Sequence, residues 1–118
     1  MKNKGRKYEE RIAKMLTKAL GLEISRVPRS GALSIKGDIK SFKGILKRFN
    51  FELKYHHKLN IWDALEQASR DAEGKIPALI FSRDSSPDYV TIKLDDFIDI
   101  LMENETLLKT INLLGEKS

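Results

Sequence analysis

The segment Arg48–Tyr55 constrains the fold more than any other part of the sequence. Its residues alternate, so that an extended strand has one apolar face, formed by Phe49, Phe51, Leu53 and Tyr55, and one polar face, formed by Arg48, Asn50, Glu52 and Lys54. A strand with one apolar face has to bury it under another layer of structure. The segment therefore predicts a sheet that is covered by helices.

The rest of the chain supplies the elements of such a fold. Hydrophobic periodicity and turn residues predict a helix over Tyr8–Leu20 that ends at Gly21, strands over Leu22–Val27, Gly37–Phe42 and Arg48–Tyr55, a helix from Ile61 to about Ala72 capped by Asn60, strands over Ala78–Phe81 and Tyr89–Leu94, and helical segments over Asp95–Met102 and Thr106–Leu114. This order predicts an α/β fold with a central mixed five-stranded sheet flanked by helices.

Length and composition narrow the class of protein. A chain of 118 residues suits a single domain over residues 1–118, and it has no cysteine, which excludes thiol catalysis and thiolate metal sites. No apolar run approaches the roughly 20 residues that a membrane span needs, and the N-terminus does not resemble a signal peptide. We expect a cytoplasmic protein with no membrane partner.

Charge is divided unevenly along the chain. Residues 1–58 contain 16 Lys and Arg against 5 Asp and Glu, a net charge of +11, whereas residues 59–118 contain 6 against 12, a net of −6. A basic surface attracts nucleic acid by neutralising phosphates. Charge alone is equally compatible with basic side chains that merely solvate a helix face.

Two carboxylates are expected to oppose each other in the predicted hairpin. If the strands on either side of Ile45 pair about that residue, opposed residue numbers sum to 90, and Asp38 faces Glu52. Opposed carboxylates repel unless a cation lies between them, and Mg²⁺ prefers such oxygen ligands. Lys54 shares the face of Glu52. A register slip of one residue would remove this arrangement.

The first helix offers a third carboxylate. At 100° per residue, Glu9 lies near the centre of the apolar stripe, whereas Glu10 projects toward water. An inward carboxylate needs a partner, so Glu9 is a candidate metal ligand. Singly, each feature has an ordinary structural explanation: a cross-strand ion pair, a turn aspartate or a helix cap. Their combination is more specific.

These residues resemble the PD-(D/E)XK nuclease superfamily, and within it the archaeal and phage-type Holliday junction resolvases. The matching pieces are Gly5-Arg6-Lys7-Tyr8-Glu9-Glu10-Arg11, Arg29-Ser30-Gly31-Ala32, Gly37-Asp38 and Glu52-Leu53-Lys54. They cover about the first half of the chain, and Gly37 stands where the superfamily's name has proline. The resemblance implies a restriction-endonuclease-like fold, a homodimer and Mg²⁺-dependent cleavage of branched DNA, with Mn²⁺ as a substitute.

The resemblance also implies roles for particular residues. Glu9, Asp38 and Glu52 correspond to the metal ligands, Lys54 to the catalytic lysine, and Ser30 to the loop beside the scissile phosphate. The expected DNA contacts are Lys4, Arg6, Lys7, Arg26, Arg29, His56, His57, Lys58 and Gln67. A phage-encoded protein that acts in the host cell is one origin consistent with this family.

Two other functions stay open on the sequence. The same chemistry could act on duplex, flap or mismatched DNA, as it does in other members of the superfamily. Alternatively, the chain could be a non-catalytic DNA-binding module that keeps the fold.

Overall fold

A computed structural model describes residues 4–21, 25–26, 39–40 and 44–117. The elements in chain order are α1 (Lys4–Leu20), β1 (Ser25–Arg26), β2 (Ile39–Lys40), a 3₁₀ helix (Gly44–Arg48), β3 (Phe49–Tyr55), α2 (Ile61–Arg70), β4 (Ile76–Ser82), β5 (Tyr89–Ile92) and α3 (Leu94–Lys117). Parts of the first two predicted strands, Leu22–Val27 and Gly37–Phe42, lie outside the described residues.

The strands form one mixed sheet in the order β1-β2-β3-β4-β5. β3 and β4 run parallel, and the other neighbours are antiparallel. Only β3, β4 and β5 have four residues or more, whereas β1 and β2 have two residues each, too few for an ordinary strand. The α/β class with a mixed sheet is therefore confirmed, but the described residues support three full strands and not the predicted five.

The register between β2 and β3 agrees with the sequence prediction. Ile39 pairs with Phe51, and these two numbers sum to 90. Asp38 itself lies outside the described residues, so its position opposite Glu52 stays a prediction. The predicted turn before β3 is a 3₁₀ helix that takes in Arg48 as its last residue, so the strand begins one residue later than predicted.

The two faces of β3 are covered by different helices. Phe51 and Leu53 are buried in one cluster with Tyr8 and Ile12 of α1. On the opposite face, the Asn50 side-chain amide Nδ2 donates to the carbonyl oxygen of Ala68 in α2 at 3.2 Å. The alternation predicted from the sequence is confirmed, because each face of the strand meets its own layer.

Local hydrogen bonds determine the C-terminal end of α1 and the N-terminal end of α2. Gly21 adopts φ +67° and its N–H donates to the Thr17 carbonyl at 2.8 Å, as a glycine just past a helix commonly does. The Asn60 side chain accepts from the Asp63 backbone N–H at 3.1 Å, which confirms the predicted cap. α1 begins at Lys4, one turn before the predicted start.

The C-terminal region differs from its prediction. In place of two helical segments there is one helix, α3, of 24 residues. The residues between Met102 and Thr106 include no glycine or proline that would stop a helix. The Thr106 hydroxyl donates to the Met102 carbonyl oxygen at 3.0 Å, so this side chain is accommodated within a continuous helix.

Candidate active site

β3 brings together an acidic and a basic side chain of the predicted site. The Glu52 residue is only 4% exposed. Its Oε2 atom lies 3.7 Å from Lys54 Nζ, and the lysine side chain keeps 25% of its surface exposed. The two residues are two positions apart on one strand, so they share a face. A buried carboxylate beside a partly exposed ammonium is suited to binding a cation and a phosphate at neighbouring points.

The strand behind this pair is held rigidly. Glu52 is aligned with Leu79, and Lys54 with Phe81, in the parallel ladder between β3 and β4. Leu79 is fully buried, and Asn50, two residues before Glu52, is 1% exposed and bonded to α2. The position of Glu52 is therefore set by both a ladder and a helix contact.

Glu9 is buried in α1 as its helix phase predicts. It is 1% exposed, whereas Glu10 is exposed and pairs with Arg6, whose Nε lies 3.3 Å from Glu10 Oε1. The choice of Glu9 over Glu10 as the inward residue is confirmed. α1 packs on the apolar face of β3, so Glu9 and Glu52 reach the strand from different layers.

The metal-binding set is only partly described. Within residues 4–21, 25–26, 39–40 and 44–117, no three His, Asp or Glu residues form a group that could hold a metal ion. Asp38, the remaining predicted ligand, lies outside that part of the chain, as do Ser30 and Arg29. Glu9 and Glu52 contribute buried carboxylate oxygens, the donor type that Mg²⁺ and Mn²⁺ prefer.

A cluster of aromatic and charged side chains lies at the end of β3. The Tyr55 hydroxyl donates to Asp84 Oδ1 at 2.7 Å, and Lys4 Nζ lies 3.6 Å from Asp84 Oδ2. Arg11 donates two hydrogen bonds of 2.8 Å to Asp88. The Tyr8 and Tyr55 rings are 5.2 Å apart between centroids. This cluster joins α1 to the loop between β4 and β5.

The cluster shifts the protonation of its members. The hydrogen bonds from Arg11 lower the pKa of Asp88, and the hydrogen bond from Tyr55, followed by the charge of Lys4, lowers the pKa of Asp84. Burial, followed by the negative charge of Asp88, raises the pKa of Tyr8. At neutral pH both carboxylates are therefore ionised, and the Tyr8 hydroxyl is neutral.

A cleft of about 260 Å³ opens onto this cluster. It is lined by Lys4, Lys7, Tyr8, Arg11, Tyr55 and Asp84. Two of the predicted DNA contacts, Lys4 and Lys7, are thus on its walls. None of Arg11, Tyr55, Asp84 and Asp88 was among the predicted site residues. No periodicity could have found the pairing of Arg11 with Asp88, because these residues are 77 positions apart.

The other predicted DNA contacts are dispersed. His56 and His57 line a second cleft of about 260 Å³ with Ser82 and Arg83, and the charge of His57 contributes to the lowered pKa of Asp84. Lys58 is exposed beyond β3.

Three further predicted DNA contacts are not among the residues that line these two clefts. Gln67 is half-buried on α2, where its backbone carbonyl oxygen accepts a hydrogen bond from the Asp71 backbone N–H. Arg6 is exposed on α1. Arg26 belongs to β1, but its side chain is outside the described part.

Among the residues that the structure describes, no helix is both long and apolar enough to cross a bilayer.

Comparison with known proteins identifies the family of the chain. Residues 1–117 match the family described as "Phage putative PDDEXK endonuclease". Protein D14 of Escherichia phage T5 is 31% identical over 122 aligned positions, which cover 86% of this chain and 76% of that protein. No solved structure matches significantly. Because the match spans nearly the whole sequence and includes the Glu-x-Lys strand, this chain belongs to the phage PDDEXK endonuclease family.

Proposed function

We propose that the protein is a Mg²⁺-dependent endodeoxyribonuclease that resolves four-way DNA junctions by hydrolysing phosphodiester bonds. The observation that carries the proposal is the buried Glu52 carboxylate 3.7 Å from Lys54, on the strand that ends at a basic cleft. Membership of a family of endonucleases supports the hydrolytic chemistry. The junction as substrate rests on the resemblance of the motifs and on the basic N-terminal half.

In this proposal Asp38 and Glu52 hold the divalent cation, for which Mn²⁺ can substitute. Glu9 stays a predicted third ligand, because α1 covers the face of β3 opposite to Glu52. When bound, the cation supplies Lewis acidity to the phosphodiester and lowers the pKa of water. Glu52 also holds the Lys54 ammonium in place by charge. Lys54 donates a hydrogen bond to the reacting phosphate and offsets the negative charge that grows in the transition state. Ser30 contacts the scissile phosphate, and the products carry a 5′ phosphate and a 3′ hydroxyl.

Cleavage of a synthetic four-way junction with Mg²⁺ tests the proposal. Lys54→Ala and Asp38→Asn should each lower the cleavage rate by about 100-fold or more, the usual effect of removing one group that stabilises transition-state charge. Glu10→Gln is the matched control, because Glu10 is a neighbouring acidic residue that is exposed and bonded only at the surface of α1. Full activity of Asp38→Asn would show that the site is assigned wrongly.

Two alternatives give different results in related assays. If the substrate is ordinary duplex, flap or mismatched DNA, a linear duplex of equal length will compete with the junction as well as the junction competes with itself. If the protein only binds DNA, its junction affinity will be indifferent to Mg²⁺ and no product will form. The four competent residues favour catalysis over binding alone.

The proposed working form is a homodimer, because two opposed strands of a junction have to be cut. A symmetric dimer sets the distance and orientation between two active sites. The proposed place of action is the cytoplasm, including that of a phage host. The match to a phage protein supports this setting.

A further inference from the structure

A cleft close to Lys54 is lined by aromatic and basic side chains. It has a volume of about 260 Å³, and its walls include His56, His57, Ile61, Phe81, Arg83 and Tyr89; we call it the aromatic cleft. This volume lies just below the roughly 300–1,000 Å³ of pockets that take a drug-sized molecule. The aromatic cleft therefore suits one planar ring system and not an extended ligand.

The sheet places the aromatic cleft on the same face as the Glu52–Lys54 pair. Lys54 is aligned with Phe81 in the parallel ladder between β3 and β4, and Phe81 is aligned with Tyr89 in the antiparallel ladder between β4 and β5. Residues aligned across a ladder present their side chains on one face. Neighbouring strands are about 4.8 Å apart, so Tyr89 lies two strands, or about 10 Å, from Lys54. This distance is about three nucleotides of a stacked DNA strand, at about 3.4 Å each.

Tyr89 offers a ring on which another ring can stack. Its own ring packs on that of Phe81, with centroids 5.6 Å apart and planes inclined by 25°. Tyr89 nevertheless keeps 52% of its surface exposed. A lone exposed aromatic residue is ordinary on a protein surface. An aromatic ring that is supported by a second ring and also lines a cleft is instead typical of a platform for nucleobases.

Basic groups beside this platform can hold the phosphate of a nucleotide. His56 and His57 are exposed directly after β3, and Arg83 is exposed directly after β4. Arg11 and Arg48 each pair with a carboxylate, whereas Arg83 forms no ion pair with any residue that the structure describes. A guanidinium without a carboxylate partner can bind phosphate through two parallel hydrogen bonds.

Hydrogen bonds hold the wall that contains Arg83. The buried Ser82 hydroxyl lies 3.2, 3.2 and 3.0 Å from three backbone carbonyl oxygens of the same loop, those of Arg83, Ser86 and Pro87. The His56 backbone N–H donates to the Ser82 carbonyl oxygen at 3.2 Å. A site that is formed before its ligand arrives loses less conformational entropy on binding. The aromatic cleft therefore needs no rearrangement of this loop to take a ligand.

We propose that the aromatic cleft binds one unstacked nucleobase of the DNA strand that lies at Lys54, with the base on the Tyr89 ring and a phosphate at Arg83. The inference rests on the proposed function, because that function brings DNA to Lys54. A base inside a regular duplex is paired and stacked, so extracting it costs free energy, and this cost is least for a base that is already unpaired. The aromatic cleft therefore favours branched or unpaired DNA over an intact duplex.

Binding measured without cleavage tests the aromatic cleft directly. Fluorescence anisotropy gives the affinity of the full chain for a short single-stranded oligonucleotide, with EDTA present so that no strand is cut. Tyr89→Ala should weaken this binding by about 5-fold to 150-fold, the effect of losing one stacked base, whereas Tyr89→Phe keeps the ring and should bind like the wild type. Trp62→Ala is the matched control, because Trp62 is 81% exposed and is not among the residues that line the aromatic cleft. Equal affinities of Tyr89→Ala and the wild type would overturn the proposal.

Salt dependence separates the stacking contact from the phosphate contact. Arg83→Ala should reduce the slope of log affinity against log salt by about 0.7, the value for one phosphate of a single strand. Tyr89→Ala should leave that slope unchanged, because stacking releases no counterion. The affinity of Tyr89→Ala for a duplex of the same sequence should equal that of the wild type, which also shows that the variant is folded. An equal loss of duplex affinity would refute the preference for unstacked bases.

Photocrosslinking locates the bound base. An oligonucleotide that contains iodouracil crosslinks on irradiation to aromatic side chains in contact with the base, and peptide mapping identifies the side chain. The crosslink should fall on Tyr89. Crosslinks confined to Tyr8, Tyr55 or Trp62 would place the base elsewhere. A free nucleoside monophosphate at equal concentration should not displace the oligonucleotide, because it lacks the neighbouring phosphates; displacement would identify a site for free nucleotides instead.

The two proposals can fail separately. A preference for single strands that depends on Tyr89, in a protein that cuts no DNA, would leave the base site standing and overturn the proposed nuclease. Junction cleavage by a protein whose single-strand affinity is the same with Tyr89 and with Tyr89→Ala would do the reverse.

Discussion

Two ion pairs show how the surroundings of a side chain decide what it contributes. Lys54 and Glu52 are 3.7 Å apart with the carboxylate buried, so this pair is poised to take a further charged group. Arg11 and Asp88 satisfy each other fully through two bonds of 2.8 Å. The first pair suits chemistry, whereas the second closes a structural link between α1 and the loop after β4.

The Arg11–Asp88 pair predicts a pH-dependent loss of stability. Arg11 lowers the pKa of folded Asp88 below its unfolded value of about 3.9, so the pair stabilises the fold above that pH and its contribution disappears as pH falls through the folded pKa. Asp88→Asn should lower the free energy of unfolding by about 1 kcal/mol at neutral pH, a modest value because Arg11 is half exposed.

Urea denaturation at several pH values measures this effect. The difference between Asp88→Asn and wild type should shrink as the pH falls below the unfolded pKa of about 3.9, and it should vanish once the pH is below the folded pKa, where the carboxyl is protonated in both states. Glu116→Gln, at an exposed position of α3, should show no difference at any pH. A constant difference down to the lowest pH would mean that packing and not charge is responsible.

The buried side chain of Asn50 leads to a prediction about the free energy of unfolding. Its Nδ2 donates to the Ala68 carbonyl, and its Oδ1 is buried without a hydrogen-bond partner among the described residues. Asn50→Ala removes the link and leaves the Ala68 carbonyl unsatisfied, so the free energy of unfolding should fall by about 1–3 kcal/mol. Asn50→Asp should be worse, because it places a charge in the same closed site. Chemical denaturation ranks the two, and equal stability of Asn50→Asp and wild type would refute the account.

At the scale of elements, local hydrogen bonds determine where α1 ends and where α2 begins. The face of β3 on which each of these helices packs depends on the side chains that the strand presents there. α1 takes the Phe51 side of β3 and α2 takes the Asn50 side. The alternation of a single strand thereby assigns both helices. α3 does not pack on either face of β3 to a comparable extent, and many of its large apolar residues are exposed.

The cap of α2 can be tested by itself. Asn60→Ala removes the acceptor for the Asp63 N–H and should lower the free energy of unfolding by about 1 kcal/mol. Asn60→Asp keeps an acceptor at the same place and should restore most of that loss. Thermal or urea unfolding of the three proteins measures it. If Asn60→Asp is as unstable as Asn60→Ala, the capping hydrogen bond is not the source of the stability that Asn60 contributes.

At the scale of the whole molecule, charge separates two surfaces. Basic residues surround the cleft at the end of β3, and acidic residues cover the first half of α3. In the proposed function, DNA binds at the basic cleft and not at the acidic helix.

Salt dependence of DNA binding tests this division. Lys7→Ala on the cleft wall should weaken binding to junction and duplex alike and reduce the slope of log affinity against log salt by about 0.9, the value for one phosphate contact. Lys109→Ala on α3 removes an equal charge from the other surface and should leave the slope unchanged. Equal slopes for the two variants would place the DNA elsewhere.

Much of the candidate site follows from the sequence because it depends on short-range periodicity. The alternation of β3 placed Glu52 and Lys54 on one face, and the helix phase selected Glu9 over Glu10; the structure agrees with both. The β2–β3 register was also predictable, since a hairpin about Ile45 has few alternatives. By contrast, the division of the C-terminal helix was wrong, because no local residue forces α3 to stop.

The sequence by itself determined which residues of a strand or helix share a face. It also determined that the polar face of β3 has the carboxylate and lysine of an endonuclease motif. Only the tertiary structure decided which distant residues meet. The contacts of Arg11 with Asp88, Tyr55 with Asp84 and Arg48 with Glu103 join segments 29 to 77 residues apart. Periodicity reports the orientation of a residue within its own element, whereas these contacts depend on how the elements pack in space.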